Sequence, residues 1–220
     1  VPRSAAVATA ALRQLLLGPS ATERAATPAV RTAIPSGTKL LGVRISNGLA
    51  TIDLSGRFDD GGGSAGMFAR LAQLTYTATQ FATVTRVALR LDGRPVTVFS
   101  GEGIVIDRPM TRAQFRDDWL PPVFVDRPAY RAAMPDPARV TGLANVFEAV
   151  FRVRILDAGR RVLTDQRVMA TCGTGCWGRF DVTLRYHVSR SQWGWLRTYT
   201  LSAKDGSVQD VREYPVWLTP

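Results

Sequence analysis

"FDDGGGSAGMFARLAQL", Phe58 to Leu74, decides the fold because it reads three ways. Gly61, Gly63 and Gly66 fit G-x-G-x-x-G, a dinucleotide-binding signature. Gly62, Ser64 and Gly66 fit G-x-S-x-G, the nucleophile elbow of a hydrolase. The third reading is a connector between a strand and a helix, with Ser64 as the helix N-cap.

The flanking residues choose between them. Upstream, "KLLGVRISNGLATIDLSGRF" centres on Asn47-Gly48, a pair suited to a type I′ turn because both central residues need positive φ. A two-residue loop places Ile45 opposite Ala50, Val43 opposite Ile52 and Leu41 opposite Leu54, all apolar on one face. The other face pairs Arg44 with Thr51 and Gly42 with Asp53. The strand before the glycines is therefore half-polar and antiparallel to its partner, and "SGRFDD" separates it from the glycines. A dinucleotide site wants an apolar parallel strand running straight into the first glycine. Asp59 and Asp60 would repel a phosphate. The acid expected about 20 residues on is replaced by Arg86, and Asp92 belongs to an Asp-Gly turn. A nucleophilic Ser64 would need a base, and the single histidine, His187, falls far away on an expected strand. The connector reading is preferred.

Downstream, Leu71, Leu74, Ala78 and Phe81, together with Phe68, Ala72 and Thr75, keep helical spacing. An earlier stripe, Val7, Ala8, Ala11, Leu12, Leu15 and Leu16, predicts a first helix stopped by Gly18-Pro19. "VTRVALRLDGRPVTVF" alternates as strands. Residues 1–107 thus read as an α+β domain, an antiparallel or mixed sheet with two helices on one face. Residues 108–122, "RPMTRAQFRDDWLPP", read as a linker with a short helix that docks through Phe115 and Trp119. From 123 to 220 the chain alternates in about seven short strands, which predicts an all-β immunoglobulin-like sandwich.

Composition bounds the chemistry. The chain has 220 residues, 45% of them hydrophobic, and no apolar run near the roughly 18 residues that cross a bilayer. The opening "VPRSAAVATAALRQLL" lacks the continuous apolar core of a signal peptide. Net charge is +10, from 28 basic and 18 acidic side chains with no block of like charge. Such a diffuse field suits a solvated surface, or an anionic membrane or wall, better than specific nucleic-acid binding. Cys172 and Cys176 in "TCGTGCWG" miss the C-x-x-C redox spacing and have no neighbouring metal ligands. A local disulfide across the glycine loop is the preferred reading, and it implies an oxidising, extracytoplasmic compartment.

The helix ending Leu-Leu-x-Gly-Pro, the Ile-Pro-x-Gly-Thr turn, the x-Asp-Leu-Ser strand end and the Leu-x-Asp-Gly turn resemble the GerMN domain of bacterial sporulation and germination proteins. The second half, with its Gly-x-Ala-x-Val-Phe-Glu segment from Gly142 to Glu148, resembles the Gmad-type immunoglobulin-like domain that follows it in some envelope proteins. The resemblance implies a glycine loop that only connects, and a protein secreted or lipid-anchored outside the membrane, of actinobacterial type. It also implies a first domain related to ring-building modules that assemble side by side. That domain usually opens with a further strand, so its sheet here is expected to leave an edge open to pairing.

No catalytic residue, cofactor or metal site emerges: Asp59-Asp60 and Asp117-Asp118 are adjacent loop acids expected to be solvated. What could bind is aromatic surface at Trp177, Trp193 and Trp195, the last two on one strand face. The expected function is a non-enzymatic extracytoplasmic scaffold or interaction module, its partners other envelope proteins or a second copy. Binding of peptidoglycan, another glycan or an anionic surface is the alternative, and a serine-dependent wall hydrolase using Ser64 or the aspartates is the competitor.

Overall fold

The computed structural model describes residues 3–25, 28 and 30–220. The chain divides into two compact units, Val1–Trp119 and Leu120–Pro220.

In the first unit, helix α1 (Arg3–Leu17) ends on Gly18, whose φ of 73° is the left-handed cap, and a one-turn helix α2 (Ala21–Arg24) follows. Strands β1 (Leu40–Ser46) and β2 (Leu49–Leu54) form the Asn47-Gly48 hairpin, with φ 48° and 76° at the turn. Helix α3 (Ser64–Ala78) then crosses to β3 (Arg86–Leu91), which lies parallel to β2. β4 (Arg94–Pro95) completes a mixed sheet in the order β1-β2-β3-β4. α1 packs on α3 and β1, and α3 on β3, so both long helices cover one face. A small hairpin, β5 (Val98–Phe99) and β6 (Ile104–Val105), and the one-turn helix α4 (Arg116–Trp119) finish the unit.

Four expectations need correction here. Ile45 faces Ala50 and Val43 faces Ile52, but a bulge between Leu40 and Gly42 puts Leu40, not Leu41, opposite Leu54. Leu41 is left exposed, because an extra residue in one strand flips its neighbours across the pleat. On α3 the expected Leu71, Ala72, Leu74, Thr75 and Ala78 are buried, but Met67 rather than Phe68 continues that face, and Phe68 is exposed. Residues 108–119 are no free linker: Met110 exchanges backbone hydrogen bonds with Val87 at 2.8 and 2.7 Å, and Met110 and Phe115 join the first core. Trp119, expected to dock, is 37% exposed.

The second unit is an immunoglobulin-like sandwich of eight strands, β7 (Val123–Arg127), β8 (Ala133–Pro135), β9 (Ala138–Ala144), β10 (Val150–Leu156), β11 (Val162–Met169), β12 (Gly178–Leu184), β13 (Gln192–Leu201) and β14 (Val208–Thr219). One sheet runs β11-β10-β13-β14-β8 and the other β12-β9-β7. The three-residue β8 is too short to be read from alternation. Val153 and Ile155 of β10, Leu196 of β13 and Val216 of β14 face Val140, Phe180 and Leu184 of the smaller sheet across the core. Tyr186 is buried in the core of the sandwich, its single hydroxyl proton shared between the carbonyls of Met134 and Thr219. Gly142 has a packing reason: a Cβ there would lie 2.0 Å from the Phe124 carbonyl oxygen and 2.7 Å from the Phe180 ring. His187 stands exposed just after β12, not on a strand.

Candidate functional site

The glycine loop of the first unit sits between β2 and α3 of a β-α-β crossover, the topology a dinucleotide site would need, yet its geometry is that of a tethered connector. Phe58, fully buried in a short 3₁₀ turn (Gly56–Asp59), plugs the loop into the core, worth about 1.5–3 kcal/mol. Arg70, buried on α3, donates Nη1 to the Phe58 carbonyl at 2.9 Å, Nη2 to Gly61 at 2.5 Å and Nε to Ala33 at 3.0 Å. Burial pulls the guanidinium below its ordinary value, partly offset by Asp59 and Asp60, and burial likewise pushes the Asp59 carboxyl up. A cation that spends its donors on loop carbonyls was not foreseeable from spacing. Ser64 is not the N-cap: Gly63 holds that position, and the Ser64 hydroxyl meets Glu102 Oε2 at 2.5 Å on the surface. The only imidazole, His187, belongs to the other unit.

The richest cluster of polar and aromatic groups lies on the outer face of the larger sheet. Alternation along β13 turns Leu196 and Thr198 inward and Trp193, Trp195, Arg197 and Tyr199 outward. Register then sets Trp193 beside Trp217, Arg197 beside Glu213 and Tyr199 beside Arg152. Trp193 and Trp217 meet edge to face at 5.2 Å, with the Arg131 guanidinium 4.9 Å over the Trp193 ring. Arg160 lies 4.8 Å over Trp195. Each such contact contributes about 0.5–1 kcal/mol at an exposed site.

Two acids anchor the face, each between two arginines. Glu213 accepts from Arg160 Nη1 at 2.8 Å and from Arg197 Nη2 at 2.5 Å. Asp165 accepts from Arg152 Nε at 2.9 Å, from Arg154 Nη2 at 2.5 Å and from the Tyr199 hydroxyl at 2.8 Å. Burial alone would raise both carboxyls, but the hydrogen bonds from these partners outweigh it and hold both below the ordinary range. Burial, together with the bond to Asp165, raises the Tyr199 phenol. The result is a preorganised, fixed surface with five arginines, 131, 152, 154, 160 and 197, against two carboxylates. With arginines in excess of carboxylates and the aromatic rings held among them, the arrangement can offer contacts to an anionic or polyhydroxylated surface.

Of the residues singled out in the sequence, the structure brings Trp193 and Trp195 onto this face and places Trp177 just before β12 of the smaller sheet. Trp217, Arg131, Arg160, Arg197 and Glu213 were missed. For Arg197, Glu213 and Trp217 the signal was the same alternation that marked Arg152 and Arg154, continued into "WGWLRTY" and "REYPVW"; Arg131 and Arg160 sit in turns, where alternation gives none. Cys172 and Cys176 are disulfide-bonded, with Cα atoms 6.1 Å apart. No group of three or more metal-ligating side chains occurs among the described residues, and none of the described helices is long and apolar enough to cross a membrane.

Residues 1–97 match the family Germane, described as sporulation and spore germination, and residues 122–207 match Gmad2, the immunoglobulin-like domain of bacterial spore germination. Among solved structures, the chain is similar to the first GerMN domain of the sporulation protein GerM from Bacillus subtilis, at 24% identity over 51% of this chain and 84% of that one, with TM-score 0.43. It is similar to the tandem GerMN domains of the same protein at 16% identity over 84% of this chain and 54% of that one, TM-score 0.44. A candidate lipoprotein of Clostridium perfringens matches at 21% identity over 50% of this chain and 70% of that one, TM-score 0.44. Comparison with curated proteins gives no match.

Proposed function

Because residues 1–97 are a GerMN-type domain of sporulation and germination and residues 122–207 a Gmad2-type immunoglobulin-like domain, we propose that the chain is a non-enzymatic interaction module of the bacterial envelope. It works outside the cytoplasm, in a secreted or lipid-anchored protein, and takes part in sporulation, germination or wall processes by holding other envelope components together. The observation that carries this reading is the outer face of the larger sheet, where aromatic and guanidinium groups are fixed in place and both acids are consumed by arginines. The Cys172–Cys176 bond supports an oxidising compartment. Direct contact with peptidoglycan or another anionic wall polymer is favoured as a second reading by the excess of arginines on that face.

Retention on insoluble envelope material tests the proposal. Wild type is expected to co-sediment with envelope preparations, and the Trp193→Ala, Trp195→Ala double variant to lose most of that retention while keeping its melting temperature. Purified peptidoglycan, free of protein, separates the two readings: retention there assigns the wall polymer, and its loss assigns envelope proteins. Turnover of ester or peptidoglycan substrates that vanishes in Ser64→Ala would overturn the module reading in favour of a hydrolase.

A further inference from the structure

One end of the sandwich holds a second built surface. The segment Asn145–Ala149, between β9 and β10, turns through a short 3₁₀ element in which two consecutive non-glycine residues, Glu148 and Ala149, take left-handed φ of 53° and 59°. Such conformations persist only where the surroundings over-determine them, and they concentrate at sites where a side chain must be held in place. Here the disulfide loop supplies the constraint. The Thr174 amide donates to the Val146 carbonyl at 3.0 Å, the Gly175 amide to Asn145 Oδ1 at 3.0 Å, and the Glu148 amide to Thr174 Oγ1 at 3.3 Å. Gly173 is pressed so closely that a Cβ would lie 2.3 Å from the Ala149 nitrogen.

What this brace presents is Phe147, 62% exposed. An aromatic ring so exposed on a rigid turn forgoes burial that the fold could otherwise use. Two grooves of about 320 and 260 Å³ flank it, both lined by Phe147, Val150 and Leu201. The larger also carries Glu148 and Arg167, which form no ion pair with any described residue although they line one groove. Arg167 faces Arg152 directly across the β10–β11 register, a like-charge pair that Asp165 relieves only on the Arg152 side. The patch therefore holds an apolar knob, an apolar hole, an unpaired acid and an unpaired base.

We infer that this end of the sandwich is a self-association surface, whose occupant is a second copy of the same chain related by a two-fold axis. An isologous contact must be self-complementary, with each residue meeting its counterpart's partner. Phe147 of each copy enters the groove beside Phe147 of the other, and each Glu148 meets an Arg167 that pairs with no acid among the described residues of its own chain. The disulfide loop is the device that keeps the knob erect. The inference rests on the interaction-module reading; Arg152 borders both surfaces, but Phe147, Glu148 and Arg167 take no part in the Trp193 face, so either can fail alone.

Sedimentation velocity of the full oxidised chain tests it. The patch is small, so a dimer with a dissociation constant of order micromolar is expected. Phe147→Ala should weaken it at least about tenfold, as loss of a central aromatic anchor does. Glu148→Arg and Arg167→Glu should each dissociate the dimer when alone, since each sets like charges against each other at both ends of the contact. An equimolar mixture of these two variants should restore dimers containing one of each, because both ionic contacts are then of opposite sign. The double variant in one chain should also dimerise. A wild type that stays monomeric at about 100 μM, or a mixture no more dimeric than either variant alone, would overturn the inference. A fall in melting temperature in both single variants, independent of concentration and repaired only in the double variant, would assign the pair to a contact within one chain and overturn it equally. Circular dichroism of each variant verifies that the sandwich is intact.

Discussion

The two glycine-rich loops of the molecule look alike in sequence and do opposite things. In "DDGGGSAG" a Cβ added at Gly61, Gly63 or Gly66 would meet nothing within 4 Å, and at Gly62 it would meet only the flexible end of Arg70, which ties the loop down from below. In "CGTGCWG" a Cβ at Gly173 or Gly178 would strike backbone at 2.3 and 2.2 Å; the loop is closed by a covalent bond and pressed onto a neighbouring turn. Glycine in the first loop supplies conformational freedom, with positive φ at Gly61 and Gly62, while Gly173 and Gly178 supply the absence of a side chain. A motif match counts glycines and cannot tell these uses apart. It drew attention to the first loop, whereas the second braces the more specific surface.

Substitutions can break this contrast, and the largest effect is expected at Gly173→Ala. The new methyl has only backbone to displace, so a loss of about 3 kcal/mol in the stability of the second unit is expected, read as a lowered urea midpoint. An effect under about 0.5 kcal/mol would mean that the loop is not pressed onto Val146–Ala149.

Next is Arg70→Met, which keeps the packing stem but removes the donors to three loop carbonyls. About 2–3 kcal/mol should be lost from the first unit, with faster amide exchange over 56–63. If stability is unchanged, the Arg70 bonds do not hold the loop. Removing the other tether, with Cys172→Ser and Cys176→Ser together, should cost about 2 kcal/mol, little because the closed ring is short. Its clearer readout is loss of amide protection at Thr174 and Gly175.

Acid sharpens the contrast from the charge side. Asp165 and Glu213 titrate below their ordinary values in the folded state, so their contribution to the second unit is present above about pH 4 and is lost as pH falls through the depressed folded values. Asp59 is shifted the other way, its folded value raised by burial, so the first unit gains stability as pH falls through that value. Between about pH 5 and pH 2 the second unit should lose stability and the first should not, followed by tryptophan fluorescence from Trp193, Trp195 and Trp217 against far-ultraviolet circular dichroism.

The smallest effect is Gly66→Ala, on the first turn of α3, where the glycine has helical space to spare. It should stabilise by about 0.5–1 kcal/mol, the reverse sign of Gly173→Ala. A destabilised or binding-deficient Gly66→Ala would restore the case for a phosphate cradle.

Much of this fold was legible because local signals and the global pattern agreed. Asn47-Gly48 fixed the hairpin and two of its three expected apolar pairs, Gly18-Pro19 stopped α1, and strict alternation exposed most strands of the sandwich. What escaped depended on contacts between distant residues. The bulge at Leu40–Gly42 shifts one pair and leaves no composition signal. Met110, by pairing with β3, and Phe115, by burial, bind residues 108–119 into the first core, which a proline-rich stretch disguises as a linker. Of the candidate site, Trp193 and Trp195 were legible from one strand, but Trp217, Arg160 and Glu213 reach the same face only through the β13–β14 register and the turn after β10. The Arg70 tether joins residues 9 to 37 positions apart, beyond any periodicity.

The central claim is that recognition belongs to the outer face of the second unit and that the glycine loop of the first takes no direct part. Retention on envelope material, measured side by side for Ser64→Ala, Gly66→Ala and for Arg131→Ala, Arg160→Ala, tests it most directly. The loop variant is expected to sediment like wild type and the face variant to remain in the supernatant, with both chains folded. Retention lost in the loop variant and kept in the face variant would contradict the account.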